Sequence, residues 1–201
     1  MQIIDLRPAD ERAVRQSVEV VAKAGRDDLG RPTPCSAWTL GDLLAHMTAQ
    51  HRGFAAAARG RGGDPAIWRP RPLGADPAAA YAEAAEEVLS AFAGRDVPAR
   101  EFALPEIGPG VTVPGAQAIG FHFIDYVVHA WDVARSLGLP YELDDDLAED
   151  ALRVASAVPG GEYRTRPGAS FGPELPEPGN PSSLDRVLTA LGRSPNWPGG
   201  A

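Results

Sequence analysis

The run from 114 to 138 constrains the fold more than any other part of the chain. Pro114 suits a helix start, and Gly138 supplies the left-handed residue that closes a helix. The helix predicted between them has about 25 residues and a length of about 37 Å. A helix of that length needs neighbours of similar length to cover it. Apolar residues recur at helical spacing in three earlier segments. The first is predicted at 8–24, with Val14, Val18 and Val21 inward. The second runs to about Arg59 from the Thr39 cap, with Leu40, Leu43, Leu44 and Met47 as its core stripe. The third, about 76–93, opens on Asp76-Pro77 and turns Tyr81, Ala85, Val88, Leu89 and Phe92 inward. Four helices of these lengths, joined by long loops acting as crossovers, predict an all-α four-helix bundle.

The rest of the chain punctuates and extends that bundle. Residues 60–75 form a loop rich in Gly, Pro and Arg, long for a compact domain and of the kind that is usually functional or mobile. Residues 94–113 read as irregular, with short extended pieces at E-F-A-L-P and V-T-V. A fifth helix is expected from Leu143 and Asp144 to about Val158. The segment 159–181 is too rich in Pro and Gly to be regular. Ser182 and Asp185 cap a last short helix, and Trp197 is expected to dock. The whole, residues 1–201, is predicted to be one domain with an irregular C-terminal extension over about 159–201.

Composition excludes several classes. A formal charge of −8 argues against a general nucleic-acid binder, which needs a basic face to displace counterions. Arg59, Arg61, Arg69 and Arg71 share one loop; a solvated loop and a local anion site are both open readings. No apolar run is long enough to span a bilayer, and the first residues lack the pattern of a signal peptide. The single cysteine excludes an internal disulfide and fits a reducing cytoplasm. That cysteine, Cys35, near a helix start and close to Trp38, is expected to be buried and inert. The acidic run at 144–146 lacks the ligand alternation and turn glycine of a calcium loop, and fits a helix start instead.

The long helix carries two stripes. Phe121, Ile124, Val128 and Trp131 look like core, while His122, Asp125, His129 and Asp132 are polar. The polar stripe is either a solvent-facing edge or the wall of a site inside the bundle. Asp125 and His129 are one turn apart and on one face, so both can reach a single metal ion. His122 and His129 stand about 10 Å apart along the axis, too far for bonds of about 2 Å to one ion. His46, on the second helix, is the candidate third ligand. Three protein ligands with a position left open is the pattern of a reactive rather than a structural metal site. Asp132 can accept the second ring N–H of His129, or pair instead with Arg135 or another base. His51 is turned about 140° from His46 on the helical wheel and is expected to be an exposed polar residue.

The stretches P-T-P-C-S-A-W-T-L-G-D-L-L-A-H (32–46) and D-Y-V-V-H-A-W-D-V-A-R-S-L-G (125–138) together resemble the mycothiol-dependent maleylpyruvate isomerase N-terminal-domain family. That family belongs to the wider DinB/YfiT-like metal-binding superfamily. The closing F-G-P-E-L-P and L-D-R-V-L-T-A-L-G-R-S-P-N-W resemble an actinobacterial single-domain subgroup. The resemblance implies a four-helix bundle holding a divalent metal, often zinc or nickel. The ligands would be a histidine on the second helix and an acid-or-histidine, x-x-x, histidine pair on a later one. On this chain those positions are His46, Asp125 and His129. Asp125 stands where the isomerase pattern has Glu and many DinB members have His. Being one methylene shorter than Glu, it implies an ion closer to the helix or an added water. The resemblance also implies a small-molecule substrate, a low-molecular-weight thiol such as mycothiol, isomerase or S-transferase chemistry with metal-assisted hydrolysis less favoured, and pairing as a homodimer. Isomerase members carry a C-terminal domain that helps bind substrate. Here the chain after the fifth helix reads as short and irregular, which argues against maleylpyruvate itself. The rival reading is a non-catalytic small-molecule-binding or dimerising module whose metal site is weakened by Asp125.

Overall fold

Four helices make the body of the protein: α1 (Arg7–Val21), α2 (Leu40–Ala58), α3 (Pro77–Phe92) and α4 (Gly115–Leu137). The structure is a computed structural model that describes residues 4–35 and 37–199. Helix α4 packs on α1 and α2, and α3 packs on α2 and α1, so each helix has two neighbours in the bundle. Strands β1 (Glu101–Ala103) and β2 (Thr112–Pro114) pair antiparallel, with Phe102 opposite Val113, and lie against α4. Helices α5 (Asp145–Ala155), α6 (Glu162–Thr165) and α7 (Ser183–Ala190) follow; α5 packs on α4 and on α7. No helix among the described residues is long and apolar enough to cross a membrane.

Local chemistry sets the helix ends. The Thr39 hydroxyl accepts the Asp42 N–H while the Asp42 carboxylate accepts the Thr39 N–H at 3.0 Å, a reciprocal cap that starts α2. Asp76 accepts the Ala79 N–H and Pro77 fills the first turn of α3. Gly138 ends α4 at φ 72°, where a Cβ would be strained. Ser182 and Asp185 repeat the reciprocal cap on α7.

Several boundaries differ from expectation. Helix α1 stops at Val21 rather than at 24, and α5 at Ala155 rather than near 158; each end turns out through two successive bonds tightened to three residues. The segment 159–181 is not wholly irregular, since α6 lies within it. The Arg164 guanidinium, buried at its centre, donates to the carbonyls of Pro159, Gly172 and Val158 at 3.0, 3.1 and 3.2 Å, and also to Ala190. One buried cation thus organises a stretch that apolar periodicity cannot reveal. Trp197 does pack on the core, and its carbonyl accepts two N–H groups of Arg135.

The largest correction concerns α4. It is buried on almost every side, not only along one stripe: Phe123, Tyr126, Val127, Ala130, Val133 and Ala134 are all core, whereas Phe121 is only half-buried. The polar residues His122, His129 and Asp132 are therefore inside the bundle, and the solvent-edge reading fails for them.

Candidate metal centre

Helices α2 and α4 bring His46, Asp125 and His129 together. The reciprocal cap at Thr39 fixes the start of α2 and so the position of His46 in its second turn. His46 Nε2 lies 4.0 Å from Asp125 Oδ2, and His129 Nε2 lies 3.4 Å from Asp125 Oδ1. The two imidazoles stand edge to face with centroids 5.4 Å apart. One ligand atom from each residue falls within 4.8 Å of the other two. Two imidazole nitrogens and a carboxylate oxygen, aimed at a common point, make a donor set that suits zinc and its neighbours. His46 and Asp125 are each 22% exposed at the side chain while His129 is buried, so the cluster has an inner wall and one open side. Trp38 covers His46 with centroids 4.6 Å apart.

The inner wall is braced. His129 Nδ1 bonds Asp132 Oδ2 at 2.9 Å, which directs Nε2 toward Asp125. Asp132 is fully buried and is met from the C-terminal segment by Arg193, whose Nη2 lies 3.2 Å from the same oxygen. The Cys35 thiol lies 3.2 Å from Asp132 Oδ2 and 3.3 Å from Arg193 Nη2. Cys35, His129 and Asp132 also satisfy the distances of a metal cluster. The guanidinium already occupies that side, however, and two cations so close repel strongly in a buried setting. That group supports His129 and does not form a second ion site.

The charges follow from burial and neighbours. Burial alone would lower His129, but the carboxylates of Asp125 and Asp132, helped by Cys35, outweigh it and push it up to about 10. Burial, and then the charge on His129, push His46 down to about 4 against the pull of Asp125. Burial would raise Asp132, yet Arg193 and then His129 hold it below the usual carboxylate range. Without an ion the two rings thus differ: His129 favours its charged form and His46 its neutral form. Glu106 adds a further carboxyl nearby: its head takes a 2.7 Å bond from Gln50, and desolvation of that head, together with the charge of Asp125, raises it.

Two polar residues go elsewhere. His122 does not face the cluster; its Nδ1 lies 2.6 Å from Asp10 Oδ1 on α1, and its Nε2 lies 3.1 Å from His51 Nδ1 on α2. His51 is fully buried, which corrects the expectation that it is exposed. It stacks on Tyr126 with centroids 3.9 Å apart and planes 7° apart. The wheel angle from His46 is as expected, but in a bundle α2 has protein on both sides, so turning away from one face reaches another interior. Cys35 is half-buried rather than buried. Arg135 does not pair with Asp132, since Trp197 takes its N–H groups.

Sequence reasoning missed Arg193 and gave Trp38 no role at the site. Both lie in the stretches that carry the family resemblance, so the signal was present without an assignable function. Between Arg193 and Asp132 only the three-dimensional fold makes the link.

The sequence matches the family model described as Mycothiol maleylpyruvate isomerase N-terminal domain over residues 11–134. The chain belongs to that family. An uncharacterized protein of Mycobacterium tuberculosis, present in two strains, is 36% identical to this family member over 186 residues, covering 92% of this chain and 96% of its own. Among solved structures, the mycothiol-dependent maleylpyruvate isomerase aligns with a TM-score of 0.65 at 13% identity, over 98% of this chain and 91% of that one. A point mutant of the same enzyme aligns equally well, over 96% and 90%. The fold is therefore the DinB-like fold of the isomerase. The likeness reaches past the matched domain into the C-terminal segment, so a shortened C-terminal region does not set this family member apart from the isomerase.

Proposed function

We propose that this family member is a metal- and thiol-dependent enzyme of the isomerase or S-transferase type, acting on a small molecule at the His46–Asp125–His129 cluster. The observation that carries the reading is the convergence of those three donors from two helices on one partly open point. His46, Asp125 and His129 would hold a divalent ion such as zinc or nickel. Bound there, the ion would supply Lewis acidity and stabilise a thiolate, the nucleophilic form of a thiol at neutral pH.

The chain's own groups have separable tasks. Asp132 fixes which nitrogen of His129 faces the site and keeps that ring basic. Arg193 offsets the buried charge of Asp132. Trp38 packs over His46, limits its rotation and shields one side of the cluster from water. Asp125 and His46, both partly exposed, face the side from which a small molecule enters. The family description and the name of the aligned enzyme support a low-molecular-weight thiol such as mycothiol as co-reactant.

Metal content after chelator-free purification tests the site. Wild type is expected to retain close to one ion per chain, and His46→Ala and His129→Ala to lose it with the helical fold intact. Equal metal in all three preparations would defeat the proposal. Thiol dependence tests the chemistry: metal-loaded protein should turn over an electrophilic alkene with a thiol faster than the metal-free protein does.

A further inference from the structure

Three arginines line a single cavity and, among the described residues, have no acidic partner. The cavity, about 190 Å³, lies between α2 and the loop 60–75 and is lined by Arg52, Arg69 and Arg71 together with Thr48, Ile67 and Leu73. No carboxylate lines it. Among the described residues none of the three arginines forms an ion pair; the same holds for Arg26, Arg61, Arg95, Arg135 and Arg166, but none of those lines the cavity. In a chain of formal charge −8 such a cluster stands out. Arg69 and Arg71 are exposed and Arg52 is half-buried, so all three are reachable by an anion from solvent.

The loop is held in place. Trp68 is buried, donates its indole N–H to the Gly62 carbonyl at 2.8 Å, and lies flat on Gly53 of α2. Any Cβ at Gly53 would overlap the indole. Trp68 is next to Arg69, so this anchor fixes the loop backbone from which Arg69 extends beside α2. Ala45 and Ala49, which also line the cavity, flank His46 within one turn of α2. The cavity therefore runs along the same turns of α2 as His46 but on a neighbouring face of the helix.

We infer that Arg52, Arg69 and Arg71 form an anion cradle for a small molecule bearing a dianionic group, a dicarboxylate or a phosphate ester. Guanidinium forks match the paired oxygens of both groups. The volume is below the several hundred Å³ of a site that encloses a whole drug-sized ligand. It takes the charged end and leaves the rest of the molecule outside the cavity. The assignment of that far end to substrate or thiol rests on the function proposed above; the anion site itself does not, because it needs no metal.

Titration of the metal-free protein, dialysed free of chelator, with succinate and separately with inorganic phosphate at low ionic strength tests the cradle. Saturable binding of at least one anion is expected. Arg52→Gln, Arg69→Gln and Arg71→Gln should each weaken it by about tenfold. Arg95→Gln, an exposed arginine outside the cavity, should leave it unchanged, and metal content should be unchanged in all four variants. The inference is overturned if neither anion binds saturably, or if Arg95→Gln weakens binding as much as the cavity variants do. Loss of metal from His46→Ala with anion binding intact would separate the two sites.

Discussion

Asp132 holds three groups at once: the His129 imidazole, the Arg193 guanidinium and the Cys35 thiol all meet its carboxylate within 3.2 Å. Its charge is what makes His129 basic and what Arg193 is buried against. Asp132→Asn keeps the shape but removes the charge. We expect metal affinity to fall about 10- to 100-fold, the usual effect of losing a carboxylate behind a ligating histidine. Stability should fall by about 3–5 kcal/mol, because Arg193 is left buried without a counter-charge. Competition against a fluorescent chelator reads the first effect and urea unfolding the second; unchanged affinity would remove Asp132 from the site. The candidate ligands were legible because Asp125 and His129 share a helical face, a property of spacing alone. His51 was not, since a wheel gives direction but not what lies in that direction. Arg193 was not either, since no periodicity links it to Asp132.

At the scale of elements, starts were legible and packing was not. Thr39 with Asp42, Asp76 with Pro77, and Ser182 with Asp185 announce three helices through side-chain chemistry that acts locally. That α4 would be enclosed on nearly all sides depends on α1, α2, α5 and the hairpin converging on it. The loop 60–75 reads in sequence as long and polar, yet it is anchored by Trp68, which packs on Gly53 and Phe54 and bonds Gly62. Gly53→Ala places a methyl where the indole lies. Overpacking of this kind typically costs about 1–3 kcal/mol. Here it should also loosen the loop, because the methyl would displace the indole from α2. The expected result is a lower urea midpoint, a red-shifted tryptophan emission, and weakened anion binding with metal content preserved. Retention of wild-type emission would show that the indole is not the anchor.

For the whole molecule, the buried histidines set how stability depends on pH. His51 sits between Tyr126 and the Asp10–His122 pair, and burial, with His122 adding to it, holds it well below the ordinary 6.5. His46 is held down to about 4. Below pH 6.5 the unfolded chain protonates both rings and the folded chain resists, so stability falls as pH drops, by about 1.4 kcal/mol per pH unit for each. His129 acts the other way. Its folded value of about 10 lies above the ordinary 6.5, so its contribution is complete below 6.5 and is lost as pH rises toward 10. Asp10 and Glu106, both raised, oppose the acid arm in part, because their folded forms take up protons before the unfolded ones do. The two arms meet near pH 6.5, and the metal-free protein should be most stable there. An ion between His46, Asp125 and His129 displaces the proton from His129 Nε2. Saturating zinc should therefore flatten the alkaline arm and move the optimum upward. Urea midpoints from about pH 5 to 9, with and without zinc, read both effects. An optimum for the metal-free protein at or above about pH 8 would show that His129 does not hold its proton in the folded state, and that the carboxylates of Asp125 and Asp132 do not act on it together.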